Sequence, residues 1–114
     1  MEIRPLEPGD LEAVMRLWLD GNREAHPFVP AGYWEGRAAE VREAIARAEV
    51  LVCADGGAVR GFAGMQGDYL AGIFVERAAR SAGIGRRLLD GLKARHAAIT
   101  LHVYRKNRRA ADFY

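Results

Sequence analysis

Several features that would assign this chain to a particular class of protein are absent from its sequence. Cys53 is the only cysteine, which excludes an intrachain disulfide. No run of residues approaches the ~20 apolar positions that a membrane-spanning helix needs. The first six residues lack the apolar segment of a secretory signal. We therefore expect a cytoplasmic protein without membrane contact.

Acidic residues are scarce in the second part of the chain. Residues 1–76 contain 7 Lys and Arg against 13 Asp and Glu, whereas residues 77–110 contain 10 Lys and Arg and a single acid, Asp90. This asymmetry predicts an anionic partner, which is either nucleic acid or a phosphorylated cofactor, unless it is simply a solvated basic face. With 114 residues, half of them hydrophobic, the chain can form one domain, which we place over residues 1–114.

Hydrophobic periodicity predicts strands and helices in the order β-α-α-β-β-β-α-β-α. The predicted strands cover residues 2–6, 49–54, 59–65, 70–75 and 99–104. The predicted helices begin at residues 11, 33, 83 and 107. In this order an antiparallel meander leads into a strand–loop–helix–strand unit. The fold class is therefore a mixed α/β (α+β) domain.

Turn and capping residues predict where these elements begin and end. Asp10 has the position of an N-cap for the first helix, and Gly21-Asn22 can end that helix. Asp55-Gly56-Gly57 predicts a hairpin turn, and Gly67-Asp68 breaks the chain again. His96 lies at a predicted helix end, where we expect it to interact with the helix C-terminus.

The loop from Arg80 to Gly85 is the motif with the clearest chemistry. Its sequence, Arg-Ser-Ala-Gly-Ile-Gly, follows a predicted strand and opens a predicted helix. Glycines allow close approach of the backbone to a ligand, and a helix N-terminus offers unpaired N–H groups to an anion. Arg86 and Arg87 add positive charge. The loop predicts a diphosphate site, although the glycines alone also fit a flexible turn.

Two other phosphate motifs do not fit this loop. A dinucleotide fingerprint requires a third glycine where Leu88 stands, and a P-loop requires Gly-Lys-Ser/Thr, which is absent. Helix-turn-helix, RNP-like and zinc-binding patterns of nucleic-acid binders are absent as well. We therefore favour a phosphorylated cofactor over nucleic acid.

Two blocks of sequence resemble the GCN5-related N-acetyltransferase (GNAT) family. Arg80-x-x-Gly83-x-Gly85 is similar to the family's Arg/Gln-x-x-Gly-x-Gly/Ala signature. Asn107-x-x-Ala110-x-x-Phe113-Tyr114 is similar to its second conserved segment. Within the family the chain most resembles the bacterial YiaC-type acetyltransferases in four segments: Leu17-Trp18-Leu19, His26-Pro27-Phe28, Tyr33-Trp34 and Val103-Tyr104-Arg105-Lys106-Asn107. The resemblance implies the GNAT fold, a mixed and mostly antiparallel central sheet flanked by helices. Because the family pattern continues past Phe-Tyr, we expect this sheet to lack its last two strands.

The resemblance implies acetyl-CoA as co-substrate, no metal, and transfer of an acetyl group to a primary amine. The amine is a protein lysine or N-terminus, with a small-molecule amine or a noncatalytic acyl-CoA-binding domain as alternatives. We expect a monomer or homodimer. The implied cofactor-binding residues are Phe74, Val75, Arg80, Ser81, Ala82, Gly83, Ile84, Gly85, Arg86, Asn107 and Ala110.

The resemblance also implies catalytic residues. Tyr114 matches the family tyrosine that protonates the leaving sulfur, although an aromatic residue at a helix start can equally fill a core. His102 stands where related N-terminal acetyltransferases have a glutamate, and a histidine can act as the general base. His26 is the rival, and a water path is the third possibility. Cys53 lies in an apolar strand, where we expect it to be buried and inert.

The acceptor site is expected around the connection between the first two helices. His26 and Phe28 lie in that connection, and Tyr69 resembles an aromatic residue that lines an acceptor channel, although it can also be core. Glu24, Glu35 and Asp68 are acids from which we expect attraction for any cationic acceptor. Charge alone therefore does not separate a protein lysine from a small amine.

Overall fold

The computed structural model describes residues 1–80 and 82–101. In these ranges the strands are β1 (Glu2–Pro5), β2 (Glu49–Asp55), β3 (Ala58–Gln66) and β4 (Tyr69–Val75). The α-helices are α1 (Leu11–Ala25), α2 (Ala31–Arg47) and α3 (Ile84–Lys93), and short 3₁₀ turns cover Pro8–Asp10 and Arg77–Ala79. The predicted order of elements is confirmed up to α3.

The strands form one sheet in the order β1-β2-β3-β4, and all neighbours are antiparallel. Beyond β4, Thr100 makes a parallel bridge with Tyr69. Leu70 N–H donates to Thr100 O at 2.8 Å, and Thr100 N–H donates to Asp68 O at 2.9 Å. The sheet is therefore mixed and mostly antiparallel, as predicted. The rest of the predicted strand at 99–104 and the helix from residue 107 lie outside the described residues.

Glycine chemistry explains the first hairpin. Gly56 and Gly57 have φ values of 60° and 84° and connect β2 to β3 directly. Positive φ at both central residues is the type I′ geometry, whose twist matches that of the flanking strands. The predicted hairpin is confirmed.

The sheet has a hydrophobic core on each face because side chains alternate along a strand. Leu51, Cys53, Ala63, Met65 and Leu70 form one core with the buried side of α3. On the opposite face, the second core contains residues of β2 and β3 together with α1 and α2: Val14, Ile45, Val50, Val52 and Phe62. The sheet thus lies between α3 and the α1–α2 pair. Both helix layers contact the end of β4, α3 at Val75 and the α1–α2 pair at Phe74.

A β-bulge changes the direction of β4 halfway along. Gly64 pairs with Gly72 and Met65 pairs with Leu70, so Ala71 is an extra residue on β4. A bulge bends the strand and increases its twist. β4 therefore bends at Ala71, and its second half stays paired with β3 up to Val75.

The predicted start of α1 is confirmed, and its predicted end is wrong. Asp10 is the N-cap residue, but its side chain makes no cap bond to α1; its carboxylate accepts from Glu7 N–H at 2.8 Å and pairs with Arg4 at 2.7 Å. The bond with Arg4 lowers the pKa of Asp10. Gly21 does not end the helix, because α1 continues to Ala25. Gly21 is instead the point where the ring of Phe74 packs closely against the helix, 2.6 Å from where a Cβ would lie.

Candidate active site

The predicted phosphate loop opens α3 as expected. Gly83 is the N-cap, with φ of 80° in the left-handed region, and no side chain caps the helix. Arg87 N–H donates to Gly83 O at 3.0 Å, so the N–H groups of Ile84, Gly85 and Arg86 precede the first intrahelical bond. A Cβ on Gly83 would meet no heavy atom within 4 Å. Open space and N–H donors without an intrahelical acceptor together fit an anionic ligand.

The loop packs against the end of the sheet at Gly61. A Cβ on Gly61 would lie 2.9 Å from Ile84 Cγ2 and 3.0 Å from Phe74 O. Ile84 is itself buried. Since Gly61 also pairs with Val75, the absence of a side chain at Gly61 allows the start of α3 to approach the end of β4. The structure therefore brings Phe74, Val75 and the loop together, as the resemblance implied.

Arg80 connects the loop to β4 and to α1. Its Nε donates to Val75 O at 3.4 Å. Its two Nη atoms bond the two carboxylate oxygens of Glu24, with Nη2 to Oε2 at 2.9 Å. The bond with Glu24 raises the pKa of Arg80. Sequence reasoning missed this partner, because Glu24 lies 56 positions away and no motif marks it.

The connection between α1 and α2 presents an aromatic cluster. His26 stacks on Trp34 with ring centroids 5.5 Å apart, and Phe28 contacts His26 edge to face at 5.9 Å. Trp34 in turn meets Trp18 at 6.1 Å. Phe28 is 81% exposed, so the tip of the loop offers an apolar side chain to solvent. The structure brings His26 and Phe28 together, whereas Tyr69 lies at the far end of β4, next to Thr100.

A groove of about 430 Å³ lies between the α1–α2 pair and the sheet. Trp18 and Asn22 of α1, Arg37 and Glu40 of α2, and Gly72 and Phe74 of β4 are among its lining residues. Phe74 stacks on Phe62 with centroids 5.0 Å apart, which gives the groove an aromatic floor. The groove thus reaches Phe74 in β4, one of the residues that the resemblance implies for cofactor binding.

The three acids expected to attract a cationic acceptor all have partners in the structure. Glu24 pairs with Arg80, and Glu35 pairs with Arg23. Asp68 accepts from His96, with Oδ1 and Nδ1 2.9 Å apart. Each of the three carboxylates therefore faces a basic side chain, and their attraction for a cationic acceptor stays a prediction.

His96 does not interact with the end of α3 through its side chain, in contrast to the prediction. Its Nε2 lies 2.9 Å from Glu49 Oε1, and its Nδ1 bonds Asp68. The ring is 11% exposed and borders a second cavity of about 450 Å³. His96 therefore connects β2, the β3–β4 turn and the residues after α3.

Cys53 was predicted to be buried and inert, whereas five predicted site residues lie outside the described ranges. Cys53 is fully buried, and burial raises the pKa of its thiol, which fits the predicted inert role. The residues outside these ranges are Ser81, His102, Asn107, Ala110 and Tyr114. Within residues 1–80 and 82–101, no group of three His, Cys, Asp or Glu side chains could hold a metal ion.

The comparison with known families decides the identity of this fold. The sequence model of the acetyltransferase (GNAT) domain matches residues 46–114, more than half of the chain. The chain belongs to the GNAT family. GNAT enzymes use acetyl-CoA as co-substrate, and this chain is an acetyl-CoA-dependent N-acetyltransferase.

One relative of this GNAT chain is the peptidyl-lysine N-acetyltransferase YiaC of Escherichia coli strain K12. The two are 38% identical over 114 residues, which cover 98% of this chain and 78% of YiaC. This similarity agrees with the resemblance drawn from the sequence motifs.

Solved structures agree with the GNAT fold. Apo-form YjaB from Escherichia coli superposes with a TM-score of 0.82 at 24% identity, covering 99% of this chain and 78% of YjaB. A GCN5-related N-acetyltransferase from Ralstonia eutropha JMP134 gives 0.76 at 23% identity, covering 97% and 88%. No helix in the described part of this chain is long and apolar enough to cross a membrane.

Proposed function

We propose that the chain transfers the acetyl group of acetyl-CoA to a primary amine of a protein, either a lysine side chain or an N-terminus. The observation that carries the cofactor assignment is the placement of the α3 N-terminus against the end of β4. The relative YiaC is named a peptidyl-lysine N-acetyltransferase, which supports a lysine acceptor. The proposal places the whole activity in one domain over residues 1–114.

Acetyl-CoA supplies an activated thioester, and the chain must bind both its diphosphate and its pantetheine arm. We assign its diphosphate to the N–H groups at the start of α3, with Arg80 and Arg86 as charged partners. We assign its pantetheine arm to the backbone edge of Phe74 and Val75, where amide groups can pair as a strand does. Ser81, Asn107 and Ala110 complete this proposed set.

The acceptor amine would approach from the groove and the aromatic loop. Apolar walls from Trp18, Val41 and Phe74 suit the methylene stem of a lysine, which buries carbon while its nitrogen stays polar. His26 and Phe28 lie on the loop that we assign to acceptor contact. Tyr69 is our third acceptor residue; it lies at the start of β4 and pairs with Gln66, which lines the groove.

The chemistry requires one proton to leave the amine and another to reach the departing sulfur. A lysine amine is mostly protonated near neutral pH, so a base must act before attack. We propose His102 as that base, with His26 or a water path as alternatives. Tyr114 is the proposed donor to the thiolate, since a tyrosine phenol, with an ordinary pKa near 10, can give up a proton to it. The amine attacks the acetyl carbon directly, and no acyl-enzyme forms.

A two-stage experiment tests this function. Calorimetric titration with acetyl-CoA, using NAD and ATP as controls, should give saturable binding for acetyl-CoA alone. Mass spectrometry should then find acetyl transfer to a lysine peptide with a blocked N-terminus or to a lysine-free peptide with a free N-terminus. Acetylation of spermidine with neither peptide modified would replace the protein acceptor by a small amine. Cofactor binding without any transfer would instead favour an acyl-CoA-binding domain.

A further inference from the structure

The side chain of His96 joins two separate parts of the sheet. Its Nε2 lies 2.9 Å from Glu49 Oε1 at the start of β2, and its Nδ1 lies 2.9 Å from Asp68 Oδ1 in the β3–β4 turn. The backbone of His96 is fixed as well, since its N–H donates to the carbonyl oxygen of the buried Leu92 at 3.0 Å. We call Glu49, His96 and Asp68 the His96 clamp.

The His96 clamp is closed, with both bonds made, only when the imidazole carries two protons. Ionised carboxylate oxygens accept hydrogen bonds and do not donate them, so each ring nitrogen must supply an N–H. A neutral imidazole has one N–H, and its other nitrogen would direct a lone pair at the second carboxylate. Whichever bond is kept, the ring then no longer joins the β3–β4 turn to β2.

The charges around the ring determine when the clamp opens. The cavity beside His96 is lined by three other charged side chains, Arg47, Glu49 and Asp68. Arg47 lies in the last turn of α2 and, as an arginine, keeps its charge throughout the working pH range. The hydrogen bond with Asp68 raises the pKa of His96, and desolvation offsets part of this effect. The clamp is therefore closed at pH 6.5 and opens as the pH rises through the folded-state pKa of His96.

The turn that the clamp holds leads directly into the proposed acceptor site. Tyr69 follows Asp68 in the chain and pairs with Gln66, which lines the acceptor groove. The cavity beside His96 adjoins this groove, because the two share four lining residues: Ala44, Ala48, Met65 and Gln66. A shift of the β3–β4 turn therefore reaches the groove through Tyr69 and Gln66.

We propose that His96 is a positioning residue of the acceptor site, which holds Tyr69 beside the groove while the His96 clamp is closed. Acceptor binding is then strongest while the imidazole is doubly protonated, and it weakens when the imidazole becomes neutral. The inference rests on the proposed function, because it takes Tyr69 and the groove as the acceptor site. Acetyl-CoA binding is unaffected, since the α3 loop packs at the other end of β4, beside Val75.

Two substitutions should hold the clamp in opposite states. In Glu49→Gln the new amide can donate to the neutral imidazole, so the clamp stays closed at high pH. His96→Phe keeps a planar ring but supplies no N–H, so the clamp is open at every pH. Glu12→Gln is the matched control for Glu49→Gln, because it removes the same charge from an acid that pairs elsewhere, with Arg42.

The KM for a lysine peptide, measured from below pH 6.5 to above the folded-state pKa of His96, tests the proposal. Each KM is divided by that of Glu49→Gln at the same pH, which cancels the titration of the lysine amine and of the general base. For wild type and Glu12→Gln this ratio should rise about two- to fivefold with pH, the factor that corresponds to one partly exposed charge pair. For His96→Phe it should be raised at every pH, and kcat should change little in all variants.

Amide hydrogen exchange measures the clamp without depending on activity. Leu70 N–H donates to Thr100 O, and Thr100 N–H donates to Asp68 O, so both amides report on the β3–β4 turn. Their protection in wild type, relative to Glu49→Gln at the same pH, should fall as the pH rises. Equal protection in the two proteins at every pH would overturn the clamp.

Failure of the inference and failure of the proposed function give different results. A wild-type KM ratio that stays constant with pH, in an enzyme that acetylates the peptide, would overturn the positioning role and keep the proposed function. A loss of acetyl-CoA affinity in His96→Phe would show a general structural role and overturn it as well. Absence of acetyl transfer to any amine would reject the proposed function, and the positioning role with it.

Discussion

At the scale of single residues, His96 shows how a side chain outside the reaction site can determine stability. Its imidazole lies between the carboxylates of Asp68 and Glu49. These partners raise the pKa of His96 above its ordinary 6.5; the hydrogen bond with Asp68 is the largest cause, and desolvation partly offsets it. A raised pKa in the folded state stabilises fully below pH 6.5, and that contribution is lost as pH rises through the folded-state pKa.

We therefore expect His96→Gln to lower the free energy of unfolding most under mildly acidic conditions. The difference from wild type should shrink as the pH rises through the folded-state pKa of His96, above which the imidazole is neutral. Urea denaturation at a series of pH values measures this difference. Asp68→Asn removes the main partner and should flatten the same pH dependence. If the difference in unfolding free energy between wild type and His96→Gln stays constant with pH, His96 acts by packing alone.

Tyr114 is the residue on which the proposed chemistry depends most directly. Tyr114→Phe removes the phenol hydroxyl and keeps the ring, so acetyl-CoA affinity should stay at the wild-type value. Loss of one general acid typically lowers turnover about 10²- to 10⁴-fold. Steady-state kinetics gives kcat, and calorimetry gives the affinity. An unchanged kcat would remove Tyr114 from the mechanism, and a lost affinity would indicate a structural role.

At the scale of elements, the contact between α1 and β4 depends on a helical glycine. The ring of Phe74 occupies the space that a Cβ on Gly21 would need, whereas a Cβ on Gly36 in α2 would meet nothing within 4 Å. We expect Gly21→Ala to destabilise the fold by about 1–3 kcal/mol through overpacking. Gly36→Ala should stabilise it by about 0.4–1 kcal/mol through backbone entropy. Denaturant titration measures the free energy of unfolding of both variants. Equal effects of Gly21→Ala and Gly36→Ala would contradict close packing of Phe74 against Gly21.

The requirement for glycine at position 83, at the start of α3, can also be tested by substitution. Gly83→Asp would place a carboxylate against the proposed phosphates and force a side chain into a φ of 80°. Acetyl-CoA binding should weaken at least tenfold, whereas ordinary strain at this φ costs about 1–3 kcal/mol of stability. Gly83→Asn is the control, because it has a similar shape without the charge. Equal affinity in both variants would argue against a diphosphate at this loop.

At the scale of the whole molecule, local sequence patterns were enough to predict the order of elements up to α3. The Gly56-Gly57 hairpin and the Gly83 N-cap follow from backbone chemistry that only glycine adopts readily, so both were predictable. The end of α1 was not predictable, because Gly21 is explained by Phe74 in a distant strand. The Glu24–Arg80 pair escaped prediction for the same reason, since tertiary packing alone brings its two members together.

The excess of basic residues in 77–110 predicts that the affinity for acetyl-CoA depends on salt concentration. An anionic co-substrate should bind less tightly as salt rises, because salt screens exposed charges over about 10 Å at 0.1 M ionic strength. Calorimetry with acetyl-CoA at several salt concentrations measures this dependence. Arg86→Gln removes one exposed charge at the start of α3 and should reduce the slope. A salt-independent affinity would show that long-range charge contributes little to binding.

The burial of the chain's only cysteine has a practical consequence for measuring the reaction. Each transferred acetyl group leaves a free thiol on coenzyme A, which a thiol-reactive dye detects. Cys53 has no exposed surface and a raised thiol pKa, so the folded enzyme should contribute almost no background to such an assay. Turnover can then be followed continuously with the natural sequence, and a slow rise in dye signal without co-substrate would report unfolding of the sheet.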